Sequence, residues 1–191
     1  MNREQLRHVL RAATDIVKDA DILIIGSQAI LASSDELELP LEATRSVEVD
    51  LAFFDDPDEE KADAVDGAIG ELSRFHETFG YYGQGVSLST AVLPGDWMDA
   101  LIELQSTTPG SRVRALGPHD CVISKLVANR EKDRAFAKAL IEAGTVDPER
   151  LVERIRLLPS TVDEPRRRSL IAWVHRVAKR VSVPESKSAS R

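Results

Sequence analysis

"SVEVDLAFFDD", residues 46–56, alternates Val47, Val49 and Leu51 with Glu48 and Asp50. That is the period-two pattern of a β-strand with one buried and one polar face, so residues 46–54 are predicted as a strand. Its two carboxylates then share a face, about 7 Å apart along the strand. Alternation leaves two readings open: the wet face of an edge strand, or a pair of acids converging on a divalent cation. Repulsion between neighbouring carboxylates costs free energy unless a cation relieves it. Mg²⁺ takes hard oxygen ligands, commonly one or two carboxylates together with substrate phosphates. Asp55 and Asp56 fall past the alternating run and read as loop acids.

Upstream, "DILIIG" (21–26) is an apolar run too short for a helix and is predicted as a buried strand. It ends at Gly26, and "SQAILAS" (27–33) then opens a helix with Ser27 at or near its N-cap. A strand delivering Gly-Ser into a helix start places backbone N–H groups and a hydroxyl where a phosphate can bind. A first helix over about residues 2–19 carries Leu6, Val9, Leu10, Ala13, Ile16 and Val17 at helical spacing. "SDELELPLEATR" (34–45) reads as a polar loop interrupted by Pro40.

Downstream, a helix is predicted over about 58–75, and residues 80–116 hold the glycines, β-branched residues and turn signals of short strands in the same sheet. From Pro118 the chain reads as helical, near 119–128, 131–143, 148–157 and 164–181, with "VPESKSASR" (183–191) as a loose tail. The expected organisation is an α/β core over residues 1–117, a C-terminal helical region over 118–183 that completes the active site, and a flexible tail over 184–191. Across the first two of these segments, "HDCVISKLVANREKDRAF" (119–136) offers Lys125, Arg130 and Lys132 as cations and Asp133 among them. On one unbroken helix, Lys125 and Asp133 would lie about 12 Å apart along the axis and about 80° apart around it, so they form no direct pair. A break near Asn129, contacts to different parts of a bound nucleotide, and a solvated charged helix all stay open.

Composition narrows the classes. The 191 residues are 42% hydrophobic and 30% charged, which suits a folded domain and not a disordered chain. No apolar run approaches a membrane span, and the N-terminal segment lacks a signal peptide's apolar core, so a cytoplasmic location is expected. A single cysteine, Cys121, excludes an intramolecular disulfide, and the four histidines lack zinc-ligand spacing. Residues 1–150 hold 15 basic and 28 acidic side chains, net −13, whereas residues 151–191 hold 10 and 4, net +6. The basic segment "RRRSLIAWVHRVAKR" (166–180) reads as a solvated helix face or as a surface for nucleic acid.

Together, Gly26-Ser27, the acid-x-acid strand Glu48-x-Asp50 and the charged segment 119–136 resemble the minimal nucleotidyltransferases of the DNA polymerase β-like superfamily. "YYGQGVSLSTAVLPGDW" (81–97) and "HDCVISKLVANREKDRAF" more narrowly resemble the AbiEii-related and MenT-like toxin nucleotidyltransferases. In those, a D-x-x-x-x-K motif, here Asp120 and Lys125, precedes a K-D motif, here Lys132-Asp133. The resemblance covers about residues 20–145. It implies an α/β fold with a mixed sheet and the transfer of a nucleoside monophosphate from an NTP to RNA, with release of pyrophosphate. The implied acceptor is the tRNA 3′ end, in a toxin that blocks translation and is paired with a cognate antitoxin. The implied roles are Gly26, Ser27, Lys125, Arg130 and Lys132 for the nucleotide, Glu48 and Asp50 for Mg²⁺, and Asp50, Lys125 and Asp133 for catalysis.

One departure stands out. Larger relatives carry a third carboxylate on a later strand, and "GQGVSLSTAVL" (83–93) has none. Gln84 lies there but cannot act as a base, and Asp96, behind a Pro-Gly turn, is a poor substitute. A nucleotide- or RNA-binding chain with little turnover, and transfer to a small molecule or protein, therefore stay open beside the leading reading.

Overall fold

Helix α1 (Arg3–Val17) begins at a reciprocal cap: the Asn2 side chain accepts the Gln5 N–H at 2.8 Å, and the Gln5 side chain accepts the Asn2 N–H at 2.9 Å. It buries Leu6, Val9, Leu10 and Ala13, the stripe that its spacing predicts. The computed structural model describes residues 1–18, 21–104 and 112–182, so the tail expected over 184–191 lies outside the described residues.

Five strands form one mixed sheet in the order β3-β2-β1-β5-β4. They are β1 (Asp21–Ile24), β2 (Glu48–Phe53), β3 (Tyr82–Gly85), β4 (Ile102–Leu104) and β5 (Arg112–Ala115). β1 pairs antiparallel with β2 and parallel with β5, β2 pairs parallel with β3, and β4 closes the far edge antiparallel to β5. The apolar β1 sits at the centre because Ile22, Leu23 and Ile24 are wholly buried and need cover on both faces.

The C-terminal helices fall where the sequence puts them, to within a residue or two: α5 (Pro118–Ala128), α6 (Glu131–Glu142), α7 (Pro148–Arg156) and α8 (Glu164–Ser182). One cluster of buried apolar side chains runs from Leu6 in α1 through β1 and Leu140 in α6 to Val174 in α8. Among the described residues no helix is long and apolar enough to cross a bilayer.

Five local readings are corrected. "SQAILAS" is a 3₁₀ helix, Ser27–Ala32, and Gly26 takes the cap position with no side-chain cap, so Ser27 lies inside the first turn. The polar loop after it contains a short helix, α2 (Leu41–Thr44), set off by Pro40. Val47 precedes β2 and is exposed, while Val49 and Leu51 are buried as the alternation requires. The helix read over 58–75 is two: α3 (Glu60–Ile69) and α4 (Arg74–Phe79). The break follows from an extended Gly70, a left-handed Leu72 at φ 63° and Ser73, whose hydroxyl accepts the His76 N–H at 3.2 Å to start α4. Asp56 is more than a loop acid, since its two carboxylate oxygens accept the N–H groups of Lys61 and Ala62 and cap α3.

Candidate active site

The end of β1 and the middle of β2 meet at close quarters. The Ile25 N–H donates to the Asp50 carbonyl at 3.1 Å, which brings Gly26 against the Asp50 side chain. A Cβ on Gly26 would lie 1.7 Å from Asp50 Oδ2, so this corner needs a residue with no side chain. Ser27 follows on the same pocket wall. Cys121 donates its thiol to the Gly26 carbonyl at 3.5 Å, and burial pushes that thiol's pKa up to about 12, which makes it a packing group and not a nucleophile.

Glu48 and Asp50 project from β2 into the pocket as the alternation predicts. β3 runs beside them in register, Glu48 opposite Tyr82 and Asp50 opposite Gln84. The Tyr82 hydroxyl donates to Glu48 Oε2 at 3.3 Å, and burial followed by the Glu48 charge pushes its pKa up to about 12, so it stays a donor. Burial, then the hydrogen bond and charge of Glu48, push Asp50 up to about 6, with Lys125 and Arg130 pulling the other way.

The opposite wall comes from α5 and α6. α5 ends at a left-handed Asn129, φ 64°, and the new direction taken by Arg130 lets Lys125, Lys132 and Asp133 line one pocket. Asp133 is 2% exposed and is not a lone acid: it accepts Arg130 Nε at 2.7 Å and the Arg130 N–H at 3.2 Å. Lys125 and Lys132 have no hydrogen-bond or ion-pair partner among the described residues. The cavity so enclosed is about 470 Å³, ample for a nucleotide.

Thus Gly26, Ser27, Glu48, Asp50, Lys125, Arg130, Lys132 and Asp133 all line one pocket. Sequence reading missed a third wall, Glu42, Arg45 and Ser46 at and after α2, together with Thr90, Ala91 and Phe136. Only the unpredicted α2 could have flagged the first group.

Asp120 and Asp96 are not in this pocket. Asp120 lies five residues before Lys125, about 140° around α5, and there it meets α7. Arg154 donates Nε to Asp120 Oδ1 and Nη2 to Asp120 Oδ2 at 2.8 Å, and it reaches Asp96 Oδ1 at 3.1 Å. The first residue of the D-x-x-x-x-K pattern is therefore a strut between helices. The basic segment also divides. Arg166 donates to the Leu126 and Val127 carbonyls at 3.4 and 3.2 Å, and Arg167 to those of Leu158 and Val162 at 2.8 and 3.0 Å. Arg168, Arg176, Lys179 and Arg180 stay exposed on α8.

A divalent cation fits the acid pair on its chemistry. Glu48 and Asp50 supply only hard oxygens, and burial with Glu48 alongside raises the Asp50 pKa, so bringing both to full charge there is costly. Among the described residues no set of three His, Cys, Asp or Glu side chains is arranged around a metal, so the pair would complete its shell with ligand oxygens and water.

Residues 4–180 match a family model described as "Nucleotidyltransferase of unknown function (DUF6036)". No curated protein and no solved structure matches the chain. The match covers nearly the whole sequence, and the chain belongs to this family.

Proposed function

We propose, from its membership of a nucleotidyltransferase family, that the chain moves a nucleoside monophosphate from an NTP to the 3′ hydroxyl of an RNA, releasing pyrophosphate. The observation that carries this reading is the meeting of Gly26-Ser27, Glu48 and Asp50 with Lys125, Arg130 and Lys132 around one cavity.

The roles follow from the chemistry of each group. The Gly26-Ser27 turn can offer backbone N–H groups and the Ser27 hydroxyl to phosphate oxygens, while the missing Cβ of Gly26 leaves room for the Asp50 carboxylate. Lys125 and Lys132, without hydrogen-bond or ion-pair partners among the described residues, offset triphosphate charge, and Arg130 is held in place by Asp133. This makes Asp133 a residue that orients a cation, not the base that takes the acceptor's proton. Glu48 and Asp50 would hold Mg²⁺, with Tyr82 fixing Glu48. When bound, Mg²⁺ supplies charge stabilisation to the phosphoryl group in flight. Arg45 and Glu42 face the remaining space and are available to the base or ribose.

Two features favour RNA as acceptor. Arg168, Arg176, Lys179 and Arg180 lie within about 120° of arc on α8 and about 18 Å along it, and no acid occurs between residues 165 and 182. Arg166 also ties the start of α8 to the end of α5, next to the pocket residues Ala128 and Arg130. The likeness of its motifs to toxin nucleotidyltransferases further supports the tRNA 3′ end as acceptor, a cytoplasmic toxin that blocks translation, and a cognate antitoxin.

Incubation with each α-labelled NTP, Mg²⁺ and total tRNA tests the reading. Label in RNA, lost in Asp50→Ala, is the expected result; no label with any of the four NTPs overturns it. NTP binding with RNA left unlabelled would instead favour a binding module, the reading that the absence of a carboxylate from residues 83–93 supports.

A further inference from the structure

We infer that Gln84 offers its side-chain oxygen to the attacking hydroxyl of the acceptor, and that Asp66 is the positioning residue that holds the amide in that orientation. This rests on the nucleotidyl-transfer reading above.

Gln84 stands opposite Asp50 across the β2–β3 pairing and lines the pocket beside it. Its Nε2 donates to Asp66 Oδ1. A carboxylate only accepts, so the nitrogen must face Asp66 and the oxygen must face away from it. That oxygen takes no hydrogen bond from the described residues and is not fully enclosed, and the side chain that carries it lines the pocket. Asp66 is held in turn by the break after α3. The Gly70 N–H donates to the Asp66 carbonyl at 2.8 Å, and a Cβ on Gly70 would lie 2.4 Å from Asp66 Oδ1. Only a residue without a side chain lets the turn close over this carboxylate.

A hydroxyl that donates to Gln84 Oε1 has its orientation set while a lone pair stays free for the α-phosphorus. The hydroxyl oxygen forms the new P–O bond, and the bond from the α-phosphorus to the α–β bridging oxygen breaks. Pyrophosphate leaves with that electron pair, and the hydroxyl proton passes to solvent water. Gln84 orients and does not accept the proton, which suits a loose transition state that asks for positioning more than for a strong base.

The test compares single-turnover transfer to tRNA with binding of the Mg²⁺-bound, non-hydrolysable NTP. Gln84→Ala and Asp66→Ala should each slow transfer about 10- to 100-fold at saturating NTP, with the NTP dissociation constant within about twofold of the parent. Gln84→Glu alone sets two carboxylates against each other and should be slow. Adding Asp66→Asn restores an amide–carboxylate bond of reversed polarity, and should recover about tenfold. Parent-like transfer by Gln84→Ala, parallel loss of rate and NTP affinity, or no recovery in the double variant overturns the assignment alone. A parent chain that transfers to no acceptor overturns both this assignment and the reading beneath it.

Discussion

At the first turn of α5, Asp120 is 1% exposed and closed into a network with Arg154 and Asp96. Five residues on, Lys125 faces a cavity with no ion-pair partner among the described residues, across from two acids that repel one another. The closed network satisfies its donors and acceptors within the protein and ties α5 to α7 and to the loop before β4. The open cluster leaves cations unpaired and crowds carboxylates, an arrangement that costs stability unless a ligand uses it. Charge of either kind looks alike in the sequence. Satisfaction, not charge, separates a strut from a site.

Four measurements can break or sharpen that contrast. Removing a member of the open cluster should cost activity and spare the fold. Asp50→Ala is expected to lower transfer by about 10³-fold or more, while urea unfolding shows stability equal to or above the parent; a large loss of stability would place Asp50 with the struts. The reverse is expected of Asp120→Ala. It leaves Arg154 buried without its main partner and should cost about 3–5 kcal/mol in urea unfolding, with NTP affinity of the folded protein little changed. Lys125→Ala should weaken transfer about 10²-fold with only a small fall in melting temperature, because among the described residues no hydrogen bond or ion pair is lost and only the attraction of Lys125 for the Asp50 carboxylate goes.

The smallest effect is in pH. Burial and Glu48 raise Asp50 from 3.8 to about 6. For a carboxyl raised on folding, the cation-free protein's stability is fully present below pH 3.8 and is lost as pH rises through about 6. A cation must displace the proton held there. Apparent Mg²⁺ affinity should therefore fall about tenfold per unit below pH 6 and level off above it, seen as a Mg²⁺-induced rise in melting temperature that is small at pH 5 and full at pH 8. Glu48→Gln removes the neighbouring charge and should move this transition to lower pH.

Most elements were legible because their signals are local. The α1 stripe, the apolar β1, the alternation in β2 and the four C-terminal helices each carry their period in consecutive residues. The failures have local causes too. Leu72 adopts a left-handed conformation that residues with a Cβ seldom take, so the break between α3 and α4 was marked only by Gly70 and Ser73 on either side of it. α2 is a single turn, below the length at which a period can be read. In the site, the acids, the Gly-Ser corner and the cations were legible from residue type and order. Tyr82, Asp66 and the Arg45 wall were not, since each acts through a partner distant in sequence.

By itself the sequence determined which residues could carry charge into a pocket, the faces on which Glu48 and Asp50 lie, and the stop near Asn129 that turns the chain. Tertiary structure decided which charges are spent on the fold. Asp120 and Lys125 share a helix and a motif, yet one is neutralised by Arg154 and the other is left for a ligand. It also turned Asp133 from a lone acid into the partner of Arg130, and paired Gln84 with Asp66. The physical reason is range. Periodicity and capping act over a few residues, whereas strand register, burial and ion pairing depend on what the fold brings alongside.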